Sequence, residues 1–216
     1  ELQVNVGFEK LWTLNALKNL PYTLKSPSAG VLKEKVQGHP LIIVSSGPSL
    51  EKEIEVLKRS RDRAIILAAG SSVNGLIHHG VFPHAVISYD PAPPNKKVFD
   101  LLATYDVQIP FIFGTTIYHE ILSEYQYDNL FHVIISQDTV TPQVYQRLGI
   151  DPGPIVSDAP SIAIVALQLA IWWGTNPIIF VGQDLAFPDN KYYAAGVSHL
   201  RDPLLTDEER KSYFEV

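Results

Sequence analysis

From residue 39 onward the chain alternates short apolar runs with stretches of mixed polarity. The runs at 41–45, 64–68, 85–88, 111–113, 132–135 and 178–181 are almost entirely aliphatic or aromatic. Runs with so little polar alternation are what the strands of a parallel sheet, covered on both faces, look like. Between them Leu50, Ile54 and Leu57 recur at helical spacing, as do Val73, Leu76 and Ile77. Val98, Leu101 and Leu102 mark a third helix, and 161–173 a fourth. The alternation predicts an α/β fold: a Rossmann-like, doubly wound, mostly parallel sheet with helices on both faces.

The first 38 residues read differently. Phe8, Leu11, Trp12, Asn15, Leu17 and Leu20 predict one amphipathic helix ending at Pro21. A loop, LKSPSAG, and a helical patch over 31–36 closing at Gly38 complete a helical lead-in. The expected organisation is therefore 1–38 lead-in, 39–188 Rossmann-like nucleotide-binding catalytic domain, and 189–216 polar tail. That tail, with its TDEERK patch, reads as the start of a further region.

Composition narrows the function. Of 216 residues 46% are hydrophobic and 19% charged, so the chain builds a core. A net charge of −6 and a single short basic cluster (Lys58, Arg59, Arg61, Arg63) argue against nucleic acid as a partner. No cysteine is present, which removes disulfides and thiolate metal sites and fits a reducing, cytoplasmic setting. No methionine is present either, as expected for a piece of a longer protein. The most apolar run, 162–173, is shorter than the roughly 20 residues a membrane span requires, so no membrane partner is expected.

In an open parallel sheet, ligands bind outside the carboxyl ends of the strands. The six strand ends here read Ser45-Ser46-Gly47, Ala69-Gly70-Ser71-Ser72, Ser88-Tyr89-Asp90, Gly114-Thr115-Thr116, Ser136-Gln137-Asp138 and Gly182-Gln183-Asp184. Any one of them can be an ordinary helix cap; six in succession point to a binding rim. The loop SSGPSL matches neither the dinucleotide glycine pattern nor the P-loop. Gly47 would still let a ligand approach, and Pro48 suits a helix start. The amides of Ser49 and Leu50, with the Ser45, Ser46 and Ser49 hydroxyls, would suit a phosphate. A plain capping role for Ser49 explains the loop equally well.

Asp90, held off helical conformations by Pro91, would bind a ribose hydroxyl, or magnesium if a diphosphate is present. Capping of its own turn near Asn95 is the equal alternative. Gln183 would read a base edge, and Asp184 would act as base, metal ligand or ribose contact. Thr115, Thr116 and Ser136 are candidates from position alone. His78 and His79 would point about 100° apart on a helix and so not chelate one ion. His199 would reach the rim only if the tail folded over it. Trp172 and Trp173 are expected to pack, not to stack a sugar.

These residues carry a resemblance. VSSGPSL, HHGVFPHAVISYDP and SIAIVALQLAIWWGTNPIIFVGQDLAF together resemble the central domain of the motility-associated factor (Maf) flagellin glycosyltransferases. The same domain family includes the archaeal 6-hydroxymethylpterin diphosphokinases, called MptE-like. The likeness covers roughly residues 15–187. It implies a cytoplasmic transferase moving a nonulosonic, sialic-acid-like sugar from a CMP-activated donor to a protein such as flagellin. The other branch implies diphosphate transfer from ATP with magnesium, and a nucleotide-binding module without turnover is the third possibility. Ser71, Ser72 and Asn74 match the family's second-strand turn and would touch the nucleotide. The chain departs from the family at His84, where an acid is common. It departs again at Ser157-Asp158-Ala159-Pro160-Ser161, which replaces a Gly-Gly-Ser turn.

Overall fold

Seven strands line up in the order β6-β5-β4-β3-β2-β1-β7. They are β1 Leu41–Val44, β2 Ile65–Ala69, β3 Ala85–Ser88, β4 Phe111–Gly114, β5 Leu130–Ile135, β6 Ile155–Val156 and β7 Ile178–Val181. Every neighbouring pair is parallel. Leu41 of β1 stands opposite Ile65 on one side and Ile178 on the other. These positions come from a computed structural model, which describes residues 2–99, 102, 108–124, 129–197, 204 and 206.

The helices are α1 Leu2–Lys25, α2 Lys33–Val36, α3 Leu50–Ser60, α4 Ser72–His78, α5 His119–Glu124, α6 Thr141–Leu148 and α7 Ile162–Trp173. Short 3₁₀ turns occupy Ala29–Leu32, Pro93–Phe99 and Pro188–Asn190. From β1 to β6 the chain steps across the sheet in one direction, which lays successive crossovers on one face. Leu50, Ile54, Leu57, Leu76 and Ile121 pack there against Ile42, Ile66, Val86, Phe111 and Phe113. The return from β6 to β7 recrosses the sheet, so α7 covers the opposite face. Its Ala163, Val165, Ala166, Leu169 and Trp173 pack on Leu41, Ile43, Leu67 and Ile87. This arrangement is the expected α/β architecture, with helices on both faces and an N-terminal helix before the sheet. β7 lies beside β1 while β2 lies on its other side, so the switch point falls between β1 and β7.

Three expectations change. The helix predicted to stop at Pro21 runs on to Lys25, with Pro21 inside it. Pro21 faces solvent, where water can take the carbonyl that loses its partner. The strand β6 has only two residues between Pro154 and Ser157, too little for periodicity to reveal. Of the helix expected over Val98, Leu101 and Leu102, Val98 lies in a 3₁₀ turn and Leu102 is α-helical, while Leu101 lies outside the described residues. His199 and all of the TDEERK patch except Thr206 also lie outside them. No helix among the described residues is long and apolar enough to cross a membrane.

α1 lies against the sheet's rim. Asn15 and Asn19 are fully buried on it, and their amide groups reach the loops that leave β3 and β4. Asn15 Nδ2 donates to Pro91 O (3.1 Å) and Thr116 O (3.2 Å). Asn19 Nδ2 donates to Thr115 O (3.1 Å) and Ile117 O (2.8 Å). Just past its far end the buried His132 of β5 holds the residue that follows the helix: its Nδ1–H donates to Ser26 O at 3.1 Å. The Tyr145 hydroxyl lies between His132 Nε2 (3.1 Å) and the Thr23 carbonyl (3.2 Å).

Candidate functional site

Two hollows adjoin along the carboxyl ends of the strands, sharing Ser71 and Ile162 in their walls. The smaller, about 320 Å³, lies at the switch point and is walled by Ser45, Ser46, Gly47, Gln183, Asp184 and Tyr193. The larger, about 450 Å³, lies beside β3 under α1, walled by Trp12, Ser88, Tyr89, Asp90, Asn95 and Asp158.

At the switch point the loops after β1 and β7 approach so closely that only glycine fits. Gly47 N donates to Gly182 O at 2.9 Å. A Cβ on Gly47 would sit 2.5 Å from that carbonyl and collide with Asp184 Oδ2. Gly182 has φ +72°, and a Cβ there would collide with Ser45 O. The Asp184 carboxylate then accepts the Ser49 amide at 3.1 Å. Ser49 itself makes no side-chain cap, so Asp184 takes the place of a capping side chain on α3. Ser45 Oγ donates to Gln183 Oε1 at 2.7 Å, leaving the Gln183 NH₂ pointing donors outward.

This corrects the expectation for the opening loop. The amides expected to face an anion are engaged internally: Ser49 N by Asp184 and Leu50 N by Gly47 O at 3.0 Å. What the loop offers a ligand is its hydroxyls, Ser45 and Ser46, with Ser71 donating to Ser46 Oγ at 3.2 Å.

In the larger hollow Tyr89 forms part of the wall. Gly114 makes room for it, since a Cβ at that position would collide with the Tyr89 side chain. Its hydroxyl donates to Ala159 O. Burial raises its pKa well above the ordinary tyrosine range, and the charges of Asp158 and Asp90 add to that. Asp90 Oδ1 accepts the Ala92 amide at 2.9 Å, the turn-capping role held open for it. Its carbonyl accepts Tyr118 N and Asn95 Nδ2. Ser161 caps α7 by accepting Ala163 N at 3.3 Å.

The sequence pattern of the family described as 6-hydroxymethylpterin diphosphokinase MptE-like matches residues 14–190. The chain belongs to that family. An uncharacterised protein of Treponema pallidum (strain Nichols) is 36% identical to this MptE-like chain over 123 residues. That stretch is 55% of this chain and 53% of the relative, so the likeness spans about half the length of each. A solved Maf glycosyltransferase from Magnetospirillum magneticum AMB-1 shares the fold with a TM-score of 0.61 at 18% identity. The likeness covers 87% of this chain but 29% of the Magnetospirillum protein.

Within this MptE-like domain the candidate residues separate by their place on the rim. Ser46, Gly47, Gln183 and Asp184 border the smaller hollow, Gly70 and Asp90 the larger, and Ser71 both. Asp90 and Asp184 thus stand on one rim but in different hollows. Pro48, Ser72, Asn74, Thr115 and Thr116 lie buried beneath the rim, away from either hollow. Ser72 Oγ donates to Val44 O at 2.7 Å, and both polar ends of Asn74 are buried without a partner. Ser136 is exposed but accepts Asp158 N at 2.9 Å.

The remaining candidates sit away from the rim. His84 joins the opposite ends of β2 and β3, its Nδ1 accepting Ile66 N at 3.0 Å. Desolvation first, then Arg61, lowers its pKa and keeps that nitrogen an acceptor. His78 and His79 lie edge to face at the end of α4. No group of three metal-ligating side chains occurs among the described residues. Trp173 is buried and donates to Ala29 O at 2.9 Å, while Trp172 lies under Lys33 Nζ at 4.9 Å.

Residues that sequence reasoning did not place at the site are Phe8, Trp12, Tyr89, Gln137, Asp158 and Tyr193. Tyr89 and Gln137 stood next to candidates in the strand-end motifs, and Asp158 stood in the 157–161 turn that departs from the family's pattern. Phe8 and Trp12 carried only the signal of a helix's apolar stripe.

Proposed function

We propose that this domain is the catalytic domain of a cytoplasmic Maf-type glycosyltransferase. It would transfer a nonulosonic sugar from a CMP-activated donor to a hydroxyl of a protein acceptor such as flagellin. The observation that carries the reading is the pair of adjoining hollows meeting at Ser71 and Ile162. A two-substrate transfer needs such a junction, with donor and acceptor held on either side of the reacting atoms. The Ser46 hydroxyl keeps its hydrogen for the single phosphodiester of the donor, Ser45 and Ser71 would turn theirs onto it from Gln183 Oε1 and Ser46 Oγ, and the Gln183 amide offers donors to the base edge. Asp184 keeps one oxygen on the Ser49 amide and has the other to take the acceptor's proton as the hydroxyl attacks the anomeric carbon and CMP leaves.

The family's description supports a second reading, diphosphate transfer from ATP to a hydroxymethylpterin, with Asp90 and Asp184 as magnesium ligands. Charge favours the first. The charged side chains in both walls, among the described residues, are the carboxylates Asp90, Asp158 and Asp184. A donor with one phosphate needs no cation to lie beside them, whereas a triphosphate meets strong repulsion there unless magnesium offsets it. Thermal denaturation with CMP, with ATP plus magnesium, and with a dihydropterin separates the readings. A rise in midpoint with CMP alone is expected. A rise requiring ATP and magnesium would transfer the assignment to the diphosphokinase, and tight binding without turnover to a non-catalytic module.

A further inference from the structure

The larger hollow has a chemistry that the donor does not use. Phe8 and Trp12 stack on α1 with ring centroids 6.0 Å apart and interplanar angle 22°, and both border the cavity with Tyr89. The charged groups in that wall, among the described residues, are Asp90 and Asp158. Its amides are turned acceptor-first. Asn95 is only about 6% exposed, and its Nδ2 donates to Ser88 Oγ and Asp90 O, both at 3.2 Å. That leaves its carbonyl oxygen as what it can present to the cavity. Gln137 Oε1 is likewise buried without a hydrogen-bond partner in the same wall. The Tyr89 hydrogen is committed to Ala159 O, so the phenol also has only acceptor capacity left.

Aromatic faces, two carboxylates and acceptor oxygens without donors are complementary to one ligand class. An organic cation brings N–H donors for the oxygens and positive charge for the carboxylates and ring faces. An anionic sugar nucleotide brings the opposite charge. We propose that the 450 Å³ hollow beneath α1 recognises an ammonium-bearing group on the acceptor side of the reaction, such as a lysine side chain near the hydroxyl that is modified. The proposal rests on the transferase reading above, deepening it by giving the acceptor a basic neighbour. Ser71, in both walls, then marks the boundary between the acceptor's basic neighbour and the donor's phosphate.

Calorimetric titration of the whole chain tests this with three probes. They are acetyl-Gly-Ser-Lys-amide, the same peptide with norleucine for lysine, and n-butylamine. The lysine peptide should bind about tenfold more tightly than the norleucine peptide, as a desolvated cation over an aromatic and a carboxylate allows. In the double variant Asp90→Asn, Asp158→Asn that preference should fall below about threefold, while the CMP-induced rise in melting temperature persists and reports an intact fold. Butylamine matching the lysine peptide would support the site with a free amine as its source; a clear peptide advantage supports a polypeptide. Equal affinity for the lysine and norleucine peptides, or no binding of any probe, would overturn the proposal. Loss of the CMP response in the unmodified chain would instead remove the donor reading and leave the titration to stand by itself.

Discussion

The Asp184 carboxylate reaches across from the loop after β7 to accept the Ser49 amide at 3.1 Å, through space that a side chain at Gly47 would fill. One contact therefore ties the two loops of the switch point and caps α3. It also explains the unusual turn SSGPSL: the Ser49 amide holds a carboxylate of the same chain, the Gly47 and Leu50 amides are bonded to backbone carbonyls, and the Ser46 hydroxyl keeps its hydrogen.

Gly47→Ala should break this tie. The added Cβ meets both Asp184 Oδ2 and the Gly182 carbonyl, so one loop must move. A loss of about 1–3 kcal/mol in urea unfolding is expected, together with loss of CMP binding. Unchanged stability and affinity would show that the loops have slack.

Replacing Asp184 separates its two roles. Asp184→Asn keeps an oxygen for the Ser49 amide, so the midpoint of unfolding should change little, while transfer is abolished because the amide takes no proton. Asp184→Ala should add a loss of about 1 kcal/mol for the missing cap. Turnover by the asparagine variant at the unmodified rate would take Asp184 out of the chemistry.

Asn19→Leu tests whether α1 organises the rim. The substitution leaves the Thr115 and Ile117 carbonyls without their buried donor. Each such group costs about 1–3 kcal/mol. Amide exchange should then accelerate in the loop after β4, ahead of the sheet. Uniform acceleration across the sheet would contradict a local role.

His132 makes the fold acid-sensitive. Burial lowers its pKa to about 4, from an ordinary 6.5. The folded state thus binds fewer protons than the unfolded one between those values, and stability falls as pH drops from about 6.5 to about 4. The linked loss is on the order of 3 kcal/mol. His84 and His119, both lowered first by desolvation, act with the same sign. His132→Phe should therefore flatten, without abolishing, the fall in unfolding free energy between pH 7 and pH 4.5. An identical slope in the variant would contradict the assignment.

Much of the fold was legible because its strands are uninterrupted apolar runs, and a run such as LIIV has no alternative but burial on both faces. The rim was legible as strand-end chemistry, but which of those residues face outward was not. Ser71 and Ser72 are neighbours with the same side chain; one borders both hollows and the other is sealed against Val44 O. The cap on α3 comes from a residue 135 positions away, a relationship no local pattern contains. Asn15 entered only as a member of the α1 stripe and Asn19 carried no local signal, because their partners are 76 to 101 positions along the chain.

The most direct measurement is a crystal structure of this domain with CMP bound. The account predicts the phosphate against the Ser45, Ser46 and Ser71 hydroxyls and the base edge at Gln183, with the hollow beside Tyr89 left open. Phosphate seated between Asp90 and Asp158, or a nucleotide found away from the switch point, would contradict it.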